Sequence, residues 1–284
     1  MTCCNSRRKP EWLKIKLPKG QSSTEVLNIV RKHNLHTICT SGMCPNQGEC
    51  WGNRTATFMI GGDVCTRSCK FCNVKTGRPA PLDPAEPENI ANSVKLLGLK
   101  HAVITSVDRD DLADLGAAHW VKVIEAVKRV NPETTMEVLI PDFQGRRELV
   151  QQVIEARPEV ISHNLETVRE LSDGVRSRAK YDTSLQVIRQ VSESGIVSKS
   201  GIMLGLGETR EQILRTMDDL LAVGCKVMTI GQYLQPSEAN LEVKEYVTPE
   251  TFQEYERIGL EKGFRYVESG PLVRSSYHAE KHVR

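Results

Sequence analysis

Six of the chain's nine cysteines fall within one stretch, CTSGMCPNQGECWGNRTATFMIGGDVCTRSCKFC. They form two triplets, Cys39, Cys44 and Cys50, then Cys65, Cys69 and Cys72. The second has the spacing C-x3-C-x2-C. Close thiolates on one loop suit zinc or an iron–sulfur cluster. A structural zinc wants a fourth Cys or His in a second short-spaced pair. None follows closely, and the next candidate, His101, begins a later strand. A cubic four-iron cluster held by three thiolates keeps one iron without a protein ligand, and an open coordination position is where chemistry takes place. The competing structural reading is a zinc knuckle that borrows a cysteine from the first triplet.

The elements that position these residues follow a repeating pattern. Ser22 and Glu25 make a capping box for a helix over Ser23–His33. The cysteine-rich stretch has little periodicity and reads as loop around one strand, Thr55–Gly62. The linker TGRPAPLDPAEPEN is too rich in proline for regular structure. Helical spacing over Asn89–Leu99, Ala117–Val130, Arg146–Ala156, Thr183–Ser194, Arg210–Val223 and Thr248–Lys262 alternates with the apolar runs HAVITSV, MEVLIPD, EVISHNL, IVSKSGIMLGL, KVMTIGQYL and FRYVES. Short apolar strands alternating with helices mean parallel βα units. A closed eight-unit barrel occupies about 250 residues, more than remain after the N-terminal segment. The expected fold is therefore α/β, a partial, open (β/α)6 TIM-type barrel. An open doubly wound sheet is the runner-up, but no Gly-rich dinucleotide turn follows the first strand. In such folds chemistry sits at the C-terminal strand ends. The second triplet is there, with Thr105, Ser106, Asp108, Asp142, Asn164, Glu166, Glu208, Gln232 and Gln235 at the other strand ends, predicting one mouth lined from every unit.

The bulk numbers exclude several classes. The 284 residues carry 38 Lys and Arg against 36 Asp and Glu, net +2. That balance gives no footprint for nucleic acid or an anionic membrane. No apolar run approaches a membrane span. The start, MTCCNSRRKPEWLK, has charges without an apolar core and does not read as a secretory signal. The expected compartment is the reducing cytoplasm, where clustered cysteines are ligands rather than disulfides.

With Phe71 just before its last cysteine, the second triplet resembles the signature of the radical S-adenosylmethionine enzymes. The resemblance implies an open iron chelated by the amino and carboxylate groups of S-adenosyl-L-methionine. It also implies release of a 5′-deoxyadenosyl radical, and an open six-unit barrel. GIMLGLGE, Gly201 to Glu208, resembles the family's G-x-I-x-G-x-x-E segment near the adenine, with Met203 in place of Ile, and makes Gly205 a cofactor-binding candidate.

The first triplet, C-x4-C-x5-C within CTSGMCPNQGECW, resembles the auxiliary-cluster motif of the lipoyl synthases. The likeness continues through GGDVCTRSCKFCNVKTGRP, VITSVDRDDL, SHNLETV, SGIMLGLGET, QYLQPS and GPLVRSSYHAE. Family members often read Asp-Gly-Gly-Ala where this chain has Asp114-Leu115-Gly116-Ala117. The resemblance implies two [4Fe-4S] clusters, the auxiliary one completed by a serine of Arg274-Ser275-Ser276-Tyr277. Ser276 is the choice and Ser275 the alternative, since spacing does not separate them. It implies insertion of two sulfur atoms at C6 and C8 of an octanoyl group on a carrier lysine, with sulfide from the sacrificed auxiliary cluster. Those carbons have no activating group, so acid–base catalysis has nothing to grip and a cofactor must carry the hard step. The implied partners are an octanoylated lipoyl carrier domain or H protein, reduced ferredoxin or flavodoxin, and an iron–sulfur carrier. The expected division is 1–54 with the auxiliary motif, 55–262 as the barrel, and 263–284 closing over the auxiliary cluster.

Other residues divide between function and architecture. Asn164 and Glu166 match a block near the ribose of the cofactor, or cap a helix. Thr105 and Ser106 fit the methionyl amino group, or a helix entry. Arg176 suits the methionyl carboxylate as a fork, or a surface ion pair. Arg67 and Lys70 raise the cluster's potential, or are solvated. Cys225 reads as a small buried hydrophobe, His163 as a packed strand residue, and Cys3 and Cys4 as terminal. The rival functions are another two-cluster radical sulfur-inserting enzyme, such as a methylthiotransferase, and a zinc-stapled binding module.

Overall fold

The computed structural model describes residues 9–14, 28, 35–52 and 57–283. Cys3, Cys4, Thr55 and the expected helix Ser23–His33, apart from Asn28, lie outside the described residues. Ten strands are present among them: β1 His36–Thr37, β2 Thr57–Ile60, β3 Val64–Cys65, β4 Lys75–Thr76, β5 His101–Ser106, β6 Thr135–Leu139, β7 Val160–Ser162, β8 Val197–Leu204, β9 Val227–Gln232 and β10 Tyr266–Gly270. The main sheet runs β1-β2-β5-β6-β7-β8-β9-β10. β1 is antiparallel to β2, and every other pairing in it is parallel. The linear order keeps the barrel open. β10 continues the sheet to Gly270, so FRYVES is a strand of the barrel.

The helices are α1 Ile38–Ser41, α2 Gln47–Gly52, α3 Glu86–Leu97, α4 Ala117–Val130, α5 Arg147–Glu155, α6 Arg169–Val175, α7 Tyr181–Glu193, α8 Arg210–Ala222 and α9 Pro249–Lys262. Their ends follow local chemistry. Thr209 and Gln212 make a reciprocal capping box at α8. Thr248 caps α9, Pro249 opens it and left-handed Gly263 closes it. The cysteine-rich stretch is not plain loop. It contains α1, capped by the Thr37 side chain, which accepts from Thr40 N–H, and α2. These helices are too short for periodicity to reveal.

Alternation along the strands separates two environments. Phe58, Ile60, Ala102, Ile104, Met136, Val138 and Ile161 pack with Trp120, Ile124 and Val153 of the outer helices. Ile202, Leu204, Met228 and Ile230 pack with Met217, Leu220 and Phe252. The intervening residues, Met59, Val103, Thr105, Glu137, Lys199 and Gly201 among them, share the opposite face, which lines the barrel interior. No helix among the described residues is long and apolar enough to cross a membrane.

Candidate active site

The second triplet sits where the sequence places it, beyond the C-terminal end of β2. Its loop is held from several directions. Lys70 N–H donates to Val175 O at 3.0 Å and Leu241 N–H to Lys70 O at 3.2 Å. Asn240 Nδ2 donates to Cys72 O at 3.0 Å. Arg67, within the loop, is only 6% exposed. It forks onto Asp110 through Nε and an Nη2 shared with Asp142, each bond 2.8 Å. Its Nη1 lies 3.4 Å from Asp108 Oδ1. The solvated reading of Arg67 is thereby replaced by a buried brace between the cluster loop and the ends of β5 and β6; Lys70 is exposed. Burial opposes ionisation of Asp110 and Asp142, but the bonds from Arg67 outweigh it and both pKa values fall. At Asp108 burial wins over Arg67 and raises the pKa. Arg109 is a second buried brace. It grips Asp111 at 2.9 Å and donates to Gly61 O at 3.1 Å.

The sulfurs already have the surroundings of cluster ligands. Cys65 Sγ accepts from Arg67 N–H at 3.4 Å and Asp108 N–H at 3.3 Å. Cys72 Sγ accepts from Val74 N–H at 3.4 Å. Such bonds to sulfur tune a cluster's potential. Burial pushes the Cys65 thiol up to about 12 and the Cys72 thiol up to about 11, so a metal bound there would have to displace their protons. Among the described residues no three His, Cys, Asp or Glu side chains converge on a position for a single metal ion. Three thiols on one short loop, each able to take a separate iron, are a donor set that fits a four-iron cluster.

Beside this loop a cavity of about 140 Å³ is lined by Cys69, Phe71, Thr105, Ser106, Asn164, Glu166 and Arg176, among others. These come from the loop, β5, the end of β7 and the end of α6. Asn164 Oδ1 is buried with no hydrogen-bond partner among the described residues. Glu166 holds φ +70, a left-handed conformation rare for a side chain of its size. Burial raises its pKa against the lowering influence of Arg176. Arg176 is 8% exposed and is not in a surface ion pair. Its Nη1 donates to Ser184 Oγ at 2.7 Å. Ser184 Oγ in turn pairs with His163 Nε2 at 2.9 Å, and His163 Nδ1 with Ile140 O at 2.9 Å. Burial, then Arg176, lowers His163 to about 4, so a neutral imidazole fixes the hydroxyl that orients Arg176. An unpartnered amide oxygen, hydroxyls, a carboxyl and an arginine fit an amino acid with a ribose, as S-adenosyl-L-methionine presents.

Gly205 lines neither this cavity nor the one below. It has φ +96, and a Cβ there would run into Gln232 Nε2 and Glu245 O. The carboxylate of Glu208 accepts from Gly205 N–H at 2.5 Å and Leu206 N–H at 2.9 Å. The segment thus builds a tight turn, whose Leu206 joins Phe71, Met203 and Tyr233 in an apolar cluster.

The first triplet lies at the opposite strand ends. A cavity of about 500 Å³ is lined by Cys39, Cys44 and Cys50, by Thr57 and Val103, by the turn 97–101 before β5, and by Arg274, Ser276 and Tyr277. Two mouths replace the single one expected. Ser276 faces this cavity; Ser275 is not among its lining residues. The segment 271–283 reaches it as a strap. Asn46 Nδ2 donates to Leu272 O at 2.7 Å. Tyr277 OH donates to Glu49 Oε1 at 3.3 Å. Three thiols and a hydroxyl on one cavity fit a second cluster. Burial also raises the Cys39 thiol.

The two cavities share β5. Val103 lines the lower and Thr105 the upper, and residues two apart on a strand are separated by about 6.6 Å. The sites are stacked along the barrel interior.

Residues 59–220 match the family model described as the Radical SAM superfamily. A lipoyl synthase of Treponema denticola is 70% identical over 283 residues, covering 100% of this chain and 97% of its own length. One from Bacteroides fragilis is 66% identical, over 98% of this chain and 96% of that one. The chain belongs to the lipoyl synthase family. It is an enzyme of the radical S-adenosylmethionine superfamily. Solved structures similar in fold include methylornithine synthase, TM-score 0.59 at 15% identity over 88% of this chain and 75% of that one. The [FeFe]-hydrogenase maturase HydG of Carboxydothermus hydrogenoformans gives TM-score 0.60 at 14% identity over 85% of this chain and 64% of that one.

Within this lipoyl synthase family member, several supporting residues escape sequence reasoning. Asn240, Ser184 and the buried role of Arg67 depend on contacts between distant segments. Asn240 lies in the loop between β9 and α9, Arg67 in the loop after β3 and Ser184 in the first turn of α7, and none of these positions carries a local signal of its partners. Cys225 is buried at 1% exposure, as its apolar neighbours suggest.

Proposed function

We propose that the chain inserts two sulfur atoms, at C6 and C8, into an octanoyl group on a lysine of a lipoyl carrier domain or H protein. The observation that carries this is the stacking of two cysteine-lined cavities along the inward face of β5. When bound, S-adenosyl-L-methionine on a [4Fe-4S] cluster supplies hydrogen-atom abstraction, and an auxiliary [4Fe-4S] cluster supplies sulfur. Cys65, Cys69 and Cys72 hold the first cluster and leave one iron for the cofactor. Cys39, Cys44, Cys50 and Ser276 hold the second. Arg176, held by Ser184, faces the cofactor's carboxylate; Thr105 and Ser106 meet its amino group; Asn164 and Glu166 meet its ribose. Gly205 acts through the shape of its turn. The barrel interior excludes water from the octanoyl chain between the sites. Residues 1–54 serve as the extension with the auxiliary motif, 55–262 together with β10 as the barrel, and the rest of 263–284 as the closing segment. Reduced ferredoxin or flavodoxin supplies electrons, an iron–sulfur carrier rebuilds the auxiliary cluster, and the compartment is the cytoplasm.

The test is anaerobic single turnover on an octanoyl-lysine peptide with S-adenosyl-L-methionine and a strong reductant, read by mass spectrometry. Sulfur at C6 and C8 together with 5′-deoxyadenosine is the expected result. 5′-Deoxyadenosine beside an intact octanoyl chain would overturn the substrate assignment and the reading of the lower site.

A further inference from the structure

The strap that presents Ser276 ends in a buried polar contact that the sulfur chemistry does not use. Its last turn, Ala279–Val283, carries His282 to 0% exposure. There His282 meets Lys199 of β8 and Glu137 of β6, both also 0% exposed. Lys199 Nζ donates to Glu137 Oε1 at 2.8 Å and Oε2 at 2.9 Å, and contacts His282 Nδ1 at 3.2 Å. An ammonium only donates, so Nδ1 is the acceptor and the ring proton sits on Nε2. The three protons of Lys199 are then fully used, and the third is used by the strap. The Tyr266 ring packs against the imidazole at 5.9 Å. Farther up, the strap crosses Gly231, where a Cβ would run into Val273 O. A buried ion pair is weak evidence for stability, and its best-attested use is to fix register. Here the element whose register it fixes carries a side chain to the lower cavity.

We propose that the Lys199–Glu137 pair is a docking peg for the strap, and that Lys199 and His282 are positioning residues for Ser276. The inference rests on the reading of Ser276 as a ligand of the lower site. Glu137, Lys199 and His282 line neither cavity, so the peg acts through the strap, whose residues 274 and 276–280 line the lower cavity and not the upper.

The experiment compares reconstituted full-length H282F, H282Q and S276A with the parent protein. Two readouts are taken: the Mössbauer signature of oxygen-ligated iron, and the rate of tryptic cleavage after Arg274 and Lys281. In H282F the oxygen-ligated iron falls at least fivefold, to the S276A level, and strap cleavage rises at least fivefold, while the upper cluster keeps its iron. H282Q, whose amide oxygen can accept from Lys199, restores both. Parent-like cleavage and signature in H282F overturns the proposal. So does loss of upper-site iron in H282F, or failure of H282Q to rescue. If S276A leaves the iron signature unchanged, the ligand reading fails, and the cleavage rates still judge the peg. Should H282F not fold, the pair E137Q/K199M removes the charges together and must show the same faster cleavage.

Discussion

The two cysteine sites are built differently. The upper cysteines lie on one short stretch, clamped to the barrel by the Arg67 and Arg109 networks and by Asn240. The lower cysteines and Ser276 come from two chain regions, α1–α2 and the strap, that meet only in the folded molecule. One site is part of the scaffold. The other is assembled from extensions, as the sacrificial cluster proposed above would require.

The largest effect separates the sites outright. Cys65→Ala abolishes 5′-deoxyadenosine formation and sulfur insertion together. Cys44→Ala abolishes sulfur insertion while 5′-deoxyadenosine still appears. Chromatography of both products decides, and equal loss of both in Cys44→Ala would break the division. Next comes Arg67→Met, which strands buried carboxylates at a cost of about 3–5 kcal/mol. Upper-site iron should fall with lower-site iron retained in the surviving fold, and Arg67→Lys should not rescue, since one ammonium cannot reproduce the fork. Arg176→Met removes a charged partner worth about 1.5–3 kcal/mol. The KM for S-adenosyl-L-methionine should rise roughly ten- to hundredfold, with lower-site iron unchanged. Gly231→Ala forces the strap off Val273's path, at about 1–3 kcal/mol. Its signature is faster strap cleavage with unchanged 5′-deoxyadenosine formation.

The smallest effect is acid sensitivity at the base. Burial, then Lys199, lowers His101 to about 4 and His282 to about 3, with His101, Lys281 and His278 adding to the latter. Unfolded imidazoles titrate near 6.5. Folded values below that mean stability is present above pH 6.5 and lost as pH falls through about 4 toward 3. Denaturant midpoints across this window should decline, and less steeply in H282Q.

Much of this comparison was legible beforehand, for identifiable reasons. Ala117–Val130 and the other barrel helices show their period because one stripe is apolar and one face is wet. The cysteines declare themselves because ligand spacing within a loop is local. Arg67 was not legible as a brace, since its acids come from the ends of two later strands. At Gly205 the sequence offers a cofactor contact, and the structure adds a demand for room against Gln232 and Glu245 that no local pattern shows. The two cysteine-region helices are too short to show a period. Ser276 and Ser275 became distinguishable only once the strap's path set which one faces the lower cavity.

The strap also shapes how the molecule opens. It makes no ladder with the sheet, and its hold consists of a few side-chain contacts. Such a segment unfolds locally at a free energy well below that of the barrel. Hydrogen exchange should therefore find amides 272–283 far less protected than those of β8 or β9. Ligand bound beneath the strap would raise that protection by mass action. A local opening of the strap would therefore expose the lower cavity while the barrel and its upper site stay folded.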